Sequence, residues 1–269
     1  MDELTKLYSP SVWVKGGDPE KVLNEFYSDT KNSYDSAKEG KVHEEDLPYG
    51  DEERQKFDTW GEVKDKLLII LHGGYWQEGT RKDCLSVVAP AHIQGFAVAS
   101  LGYGLSSAEH PLSCTVDDVI RGVEFLLKSY PQVETLAIAG HSAGAHLAFH
   151  AATRVRSEKI KGLILIAGVY QLDELVHTQI GKAISLTEEE ARKNNCDHLL
   201  LQGLPLKTTI ILGPDESPKL VEQNRNLAEA TKEIVLKDYP DVNHFTALTN
   251  LNKIDTLQSQ DFREFLSTL

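Results

Sequence analysis

Cysteine is scarce in this chain: Cys84, Cys114 and Cys196 are the only three in 269 residues, widely spaced and with no C-x-x-C pair. An odd, scattered set argues against a disulfide framework, so reduced thiols in a cytoplasmic protein are the expectation. Long apolar runs are also missing. None approaches the roughly 18–20 residues of a membrane span. The opening stretch Met1-Asp2-Glu3-Leu4-Thr5-Lys6 is acidic and has no apolar h-region, so no signal peptide is expected. Basic charge is in deficit, with 28 Lys+Arg against 41 Asp+Glu and a formal charge of -13. Such a surface repels phosphate backbones and anionic lipid, which disfavours nucleic acid and membrane as partners. Internal repeats and low-complexity tracts are absent. What remains is ordinary globular material, 41% hydrophobic and 26% charged, long enough to bury a core without metal or disulfide staples.

From Met1 to about Gly50 the chain is polar and broken by Pro10, Gly16-Gly17 and Pro19, with a helix expected from Pro19 to Ala37. Val22, Leu23, Phe26, Tyr27 and Tyr34 recur there at roughly helical spacing, which makes residues 1–50 an arm lying on the main domain. Gln55–Trp60 reads as an alternating edge strand. Lys66-Leu67-Leu68-Ile69-Ile70-Leu71 is continuously apolar, the mark of a strand buried on both faces. Helix and strand then alternate: helix 81–94, strand 96–101, helix 115–130, strand 136–139, helix 143–154 and strand 160–166. That alternation specifies a mostly parallel central sheet flanked by helices. Between Ala167 and Leu206 it lapses into helical patterns at Leu172–Ile184 and Thr187–Asn194, read as a small helical cap inserted in a single α/β domain spanning 1–269. It resumes with strand 208–212, helix 218–231, strand 233–236, a helix from Phe245 and a last helix 261–269.

One stretch organises the rest. Leu136–Ala139 is a strand, Gly140-His141-Ser142-Ala143-Gly144 a sharp turn of Gly-x-Ser-x-Gly form, and Ala143 onward a helix. In such an elbow the serine sits in a strained conformation with its hydroxyl clear of the sheet, and flanking glycines leave room for strand and helix. The Ala143 N–H and the positive end of the helix face any oxyanion formed there. A glycine-rich βα turn that merely packs tightly has the same five letters, so the remainder of the chain must decide.

Ligands of open α/β sheets collect beyond the carboxyl ends of the strands. Two further polar residues lie there: Asp215, after Ile210-Ile211-Leu212-Gly213-Pro214, and His244, one loop after the last strand. Serine, acid, histidine is the order used by α/β-hydrolases. A serine hydroxyl attacks a carbonyl only as a base removes its proton, so His244 is expected as base and Asp215 as the carboxylate that orients it. Glu216 adjoins Asp215 as a rival acid, while Asp238 and Asp241 lie so near His244 in sequence that they are expected to shape its loop. His146 and His150, one helical turn apart, look like a metal pair, but no third ligand stands at zincin spacing, and packing or solvent exposure is the better reading. After the strand 66–71 comes His72-Gly73-Gly74-Tyr75-Trp76, where Gly73, Gly74 and Tyr75 can offer backbone N–H groups beside Ala143 as an oxyanion hole.

That loop resembles the His-Gly-Gly-Gly motif of hormone-sensitive-lipase-like esterases, with Tyr75 at the third glycine. Together with Ser100-Leu101-Gly102-Tyr103-Gly104-Leu105, Glu109-His110-Pro111, Gly140–Gly144 and the early Leu7-Tyr8-Ser9-Pro10-Ser11, it looks like the kynurenine formamidase (arylformamidase) family of the α/β-hydrolase superfamily. The resemblance spans most of the chain and is weakest in the cap. It implies hydrolysis of N-formyl-L-kynurenine to L-kynurenine and formate, in tryptophan catabolism and without a cofactor. Tyr75 and Trp76 at the rim could hold the aromatic ring of that small-molecule substrate by stacking, with core packing beneath the following helix an equal reading for Trp76. A general short-acyl carboxylesterase is the alternative, because serine, histidine and glycine loop serve esters as well as anilides. A non-catalytic binding protein on the same fold is a third reading. Homodimer formation stays open.

Overall fold

The computed structural model describes residues 1–39 and 42–269; Gly40 and Lys41, part of the expected arm, lie outside the described residues. Eight strands form one sheet: β1 (His43–Pro48), β2 (Lys56–Trp60), β3 (Lys66–Leu71), β4 (Ala97–Leu101), β5 (Thr135–His141), β6 (Ile160–Ile166), β7 (Lys207–Leu212) and β8 (Ile234–Asp238). Their order across the sheet is β1-β2-β4-β3-β5-β6-β7-β8. The two edge pairings, β1 with β2 and β2 with β4, are antiparallel, and all the others are parallel. Central β3 is buried from Leu67 to Leu71, as its unbroken apolar run requires. β5, carrying the serine elbow, pairs with β3 on one side and β6 on the other.

The helices are α1 (Glu3–Leu7), α2 (Pro19–Lys38), α3 (Val88–Ile93), α4 (Leu112–Ser129), α5 (Ala143–Arg154), α6 (Gln179–Ala183), α7 (Glu188–Asn194), α8 (Pro218–Ala230), α9 (Thr246–Thr249) and α10 (Leu257–Ser267). Asp18 caps α2 by accepting from the Glu20 and Lys21 N–H groups, and Pro19 occupies its first position, where no N–H is needed. α5 is buried from Ala143 to Thr153, an inner helix against the sheet rather than an amphipathic surface one. Apolar side chains divide into one cluster on each face of the sheet. No helix among the described residues is long and apolar enough to cross a membrane.

The expected alternation matches the structure from β3 onward within a few residues, with α5 and β6 at the expected bounds. Four stretches differ. β2, expected as an alternating edge strand, lies between β1 and β4 and is buried from Phe57 to Trp60. The helical pattern expected over Leu172–Ile184 is a 3-10 turn, Glu174–His177, followed by the five-residue α6. β1 lies inside the expected arm: His43–Pro48 is polar, alternates half-buried with exposed, and joins the sheet as its antiparallel edge. The expected helix 81–94 is a short 3-10 turn, Leu85–Val87, followed by the six-residue α3.

Candidate active site

At the end of β5 the backbone turns sharply. Ser142 has φ 56° and ψ -120°, the strained geometry expected of an elbow, and its N–H donates to the Ile166 carbonyl at 2.8 Å. A Cβ on Gly144 would stand 2.3 Å from the Leu71 carbonyl oxygen, so only glycine lets α5 start this close to β3. Ser142 is 3% exposed and lines a cavity of about 210 Å³.

His244 lines the same cavity. Its Nδ1 lies 2.5 Å from Oε2 of Glu216, and both side chains are buried. The other Glu216 oxygen, Oε1, accepts from the Ser217 N–H at 2.6 Å, which fixes the carboxylate's rotation. This corrects the expectation for Asp215. That residue meets the histidine loop through its backbone, in an isolated parallel bridge with Asn243, and its half-buried side chain is not the one on His244. Side chains alternate along an extended stretch, so when Asp215 faces outward its neighbour faces inward, and glutamate's extra methylene spans the gap. Order and position along the chain rank Asp215 first with Glu216 as its rival; the carboxylate that meets His244 is that of Glu216.

His141, inside the elbow, donates from Nε2 to the His244 carbonyl oxygen at 2.9 Å, so His244 is held by its side chain and by its backbone. Burial pushes His141 down to about 3 and the neighbouring His72 likewise to about 3, which keeps both rings neutral. The His72 ring stacks on Tyr103 at 4.2 Å, and the Tyr103 hydroxyl donates to the His72 carbonyl, fixing the loop that follows.

That loop brings Gly73, Gly74 and Tyr75 to the cavity wall beside Ser142. Gly74 has φ +104°, and a Cβ there would fall 2.3 Å from the Glu78 carbonyl oxygen. Tyr75 and Trp76 follow with φ 45° and 60°, a tight left-handed pair that non-glycine residues adopt only under constraint. Ala143 is the first residue of α5, where helix N–H groups have no partner inside the helix.

The two aromatic residues of the loop part company. Tyr75 borders the cavity, and its hydroxyl donates to the Tyr8 carbonyl at 2.6 Å. Burial raises its pKa well above the phenol value, so it stays protonated. Trp76 is wholly buried, lies edge-on to the His146 ring at 5.0 Å and is not on the cavity wall; the expectation that it stacks on substrate is corrected to a core role. Sequence reasoning missed the wall's main contributor. Ser9, Pro10, Ser11, Leu23, Phe26 and Tyr27, all from the N-terminal 27 residues, line the cavity, whereas the expected cap contributes Ile180. Leu23 and Tyr27, apolar residues left exposed beside a Phe26 that packs on the core, were the available signal.

His146, His150 and Cys196 do converge in the interior, with the cysteine from a distant loop as the third member. Both Nε2 atoms already have a partner in the Asn194 carbonyl oxygen, at 2.7 and 2.9 Å, and burial lowers His146 to about 4. Two neutral rings donating to one carbonyl is a packing arrangement that ties α5 to the end of α7.

A serine elbow, a buried Glu-His pair and a glycine loop around one cavity, on a mostly parallel eight-stranded sheet, define the class. The chain belongs to the α/β hydrolase fold family, whose model matches residues 68–210, more than half its length. It is similar to the kynurenine formamidase of Danio rerio, at 28% identity with 93% of this chain and 91% of that protein covered. Among solved structures, a candidate thioesterase from Silicibacter sp. TM1040 superposes with TM-score 0.84 and 21% identity, covering 99% of this chain and all of that one. An esterase from Pyrobaculum calidifontis follows at TM-score 0.72 and 19% identity, with 93% and 94% covered. At such identities the solved structures show the fold alone.

Proposed function

We propose that this chain is an arylformamidase that hydrolyses N-formyl-L-kynurenine to L-kynurenine and formate, with Ser142 as nucleophile, His244 as base and Glu216 as the acid partner. The observation that carries the proposal is the buried 2.5 Å contact between Glu216 and His244 on the same small cavity as the strained Ser142. The name of the Danio rerio relative supplies the substrate class.

The reaction runs in two halves. As the Ser142 Oγ adds to the formyl carbon, His244 takes the hydroxyl proton at Nε2, and the negatively charged Glu216 stabilises the imidazolium that forms. The former carbonyl oxygen, now an oxyanion, is met by backbone N–H groups drawn from Gly73, Gly74, Tyr75 and Ala143. The C–N bond then breaks, and His244 returns its proton to the departing arylamine nitrogen, leaving a formyl ester on Ser142. Water attacks that ester as His244 takes one of its protons. The Ser142–carbonyl bond breaks, the serine regains the proton and formate departs. No step calls for a cofactor. Formyl is the smallest acyl group, which suits a nucleophile at 3% exposure. Glu78 and Asp83, the two acids on the wall, suit the ammonium group of an amino-acid substrate.

This assignment places the protein in tryptophan catabolism. With Cys84 and Cys196 buried as free thiols, the cytoplasm is the compartment proposed for it. The second reading, a short-acyl carboxylesterase, rests on the same triad. Comparing kcat/KM for N-formyl-L-kynurenine and a short aryl ester separates the two: a large preference for the ester would overturn the formamidase assignment and leave the mechanism standing.

A further inference from the structure

α2 is buried against the body of the protein along Val22, Thr30, Ser33 and Ala37. Leu23, Phe26 and Tyr27, at i, i+3 and i+4, border that face: Phe26 packs against the core, while Leu23 is 36% and Tyr27 45% exposed. That apolar edge lines the cavity holding Ser142. Its rings continue to the base: Phe26 lies 5.6 Å from Tyr27, 5.2 Å from Phe245 and 6.0 Å from His141, and Phe245 lies edge-on to His244 at 5.2 Å.

The leaving group must sit at His244, because that histidine protonates the departing atom. A ring carried by the leaving group there is beside Phe245, which lies edge-on to His244, and beside Phe26, which lies against Phe245. Of the loop's Tyr75 and Trp76 only Tyr75 reaches the cavity, whereas α2 and the segment after His244 bring three rings to it, Phe26, Tyr27 and Phe245. The space is adequate: a cavity of about 150 Å³ admits benzene, and this one is about 210 Å³.

We infer that Leu23, Phe26 and Tyr27 of α2, with Phe245, form the subsite that holds the aromatic ring of the leaving group. The inference rests on the reading of Ser142 and His244 as nucleophile and base. It makes the N-terminal helix, rather than the cap or the glycine loop, the element that selects aryl over alkyl leaving groups. Offset and edge-on ring contacts depend on the quadrupole of the bound ring, so a saturated ring of similar size does not reproduce them.

The test compares phenyl acetate with cyclohexyl acetate, and N-formyl-L-kynurenine alongside, for the full chain and for Tyr27→Ala and Phe26→Leu. Each ester's change is taken relative to the unsubstituted protein, which cancels their different intrinsic reactivity. Expected is a loss of about five-fold in kcat/KM on the phenyl ester, expressed in KM with kcat little changed, and less than about two-fold on the cyclohexyl ester. Equal losses on both esters, or none on either, would overturn the subsite. Tyr27 is exposed enough that its alanine variant keeps the test open if Phe26→Leu folds poorly. A protein that ignores formylkynurenine yet shows the ring-dependent loss on esters refutes the formamidase reading and keeps the subsite. Inertness toward all three substrates refutes both.

Discussion

Replacing Glu216 by glutamine removes one charge and almost no volume, and the structure dictates how the amide must sit. The Ser217 N–H, 2.6 Å from Oε1, demands an oxygen at that position. The amide NH2 must then face His244 Nδ1, where a carboxylate oxygen now stands at 2.5 Å. An NH2 donor requires a lone pair on Nδ1, which moves the ring proton to Nε2, toward the serine. A histidine in that tautomer cannot accept the hydroxyl proton, and the charge that stabilised its imidazolium is gone as well. Loss of both effects in a serine triad costs roughly 10⁴-fold in kcat. We expect Glu216→Gln to lose about 10³- to 10⁴-fold in kcat on N-formyl-L-kynurenine with KM changed little, measured by absorbance under saturating substrate. Asp215→Asn, altering a side chain that is not on His244, should stay within about three-fold. A Glu216→Gln enzyme within ten-fold of the unsubstituted protein, beside a collapsed Asp215→Asn, would refute the reasoning and return the acid to position 215.

Other consequences follow from the same contacts. Trp76→Phe should lower the denaturation midpoint while leaving KM unchanged, since the indole fills core space and not the cavity; a several-fold rise in KM would put it back on the substrate. Gly144→Ala should destabilise the protein by about 2 kcal/mol or more, read by chemical denaturation, because its methyl would collide with the Leu71 carbonyl; an unchanged midpoint would contradict the packing of the elbow. Stability should also fall on acidification below about pH 6.5. His72, His141 and His146 are held neutral by burial, at about 3, 3 and 4 against an ordinary 6.5, so between those values the unfolded chain binds more protons than the folded one. Stability therefore declines as pH drops, by up to about 1.4 kcal/mol per pH unit for each ring. A melting temperature that stays flat from pH 7 to pH 5 would contradict buried neutral rings.

Much of the site was legible because its parts are local in sequence. The elbow is five consecutive residues with a required backbone, and the glycine loop needs only a strand before it. His244 could be placed because a residue after the last parallel strand has few places to go. The acid was not decidable in the same way: Asp215 and Glu216 are both acceptable by order and spacing, and choosing requires knowing which faces inward beside Asn243. Trp76 illustrates the opposite difficulty. An aromatic residue next to such a glycine loop reads equally as a binding or a core residue; its left-handed backbone, φ 60°, carries the indole back into the core against His146. β1 escaped notice because an edge strand with one half-buried face needs little hydrophobicity, and His43–Pro48 has little. The N-terminal wall depends on contacts between residues far apart in the chain, such as the Thr5 hydroxyl accepting from the Gln179 N–H and Tyr8 bonding Glu174. No local pattern encodes such contacts.

Ser142 is the group proposed to open the formamide. The decisive measurement is the loss of N-formyl-L-kynurenine absorbance with purified protein, run beside Ser142→Ala, with His244→Ala as a second control. Rapid loss in the unsubstituted protein, reduced at least about 10³-fold in both variants, is the predicted result. Turnover that survives in Ser142→Ala would contradict the serine mechanism, and an unsubstituted protein that leaves the formamide intact while hydrolysing a short aryl ester would contradict the substrate.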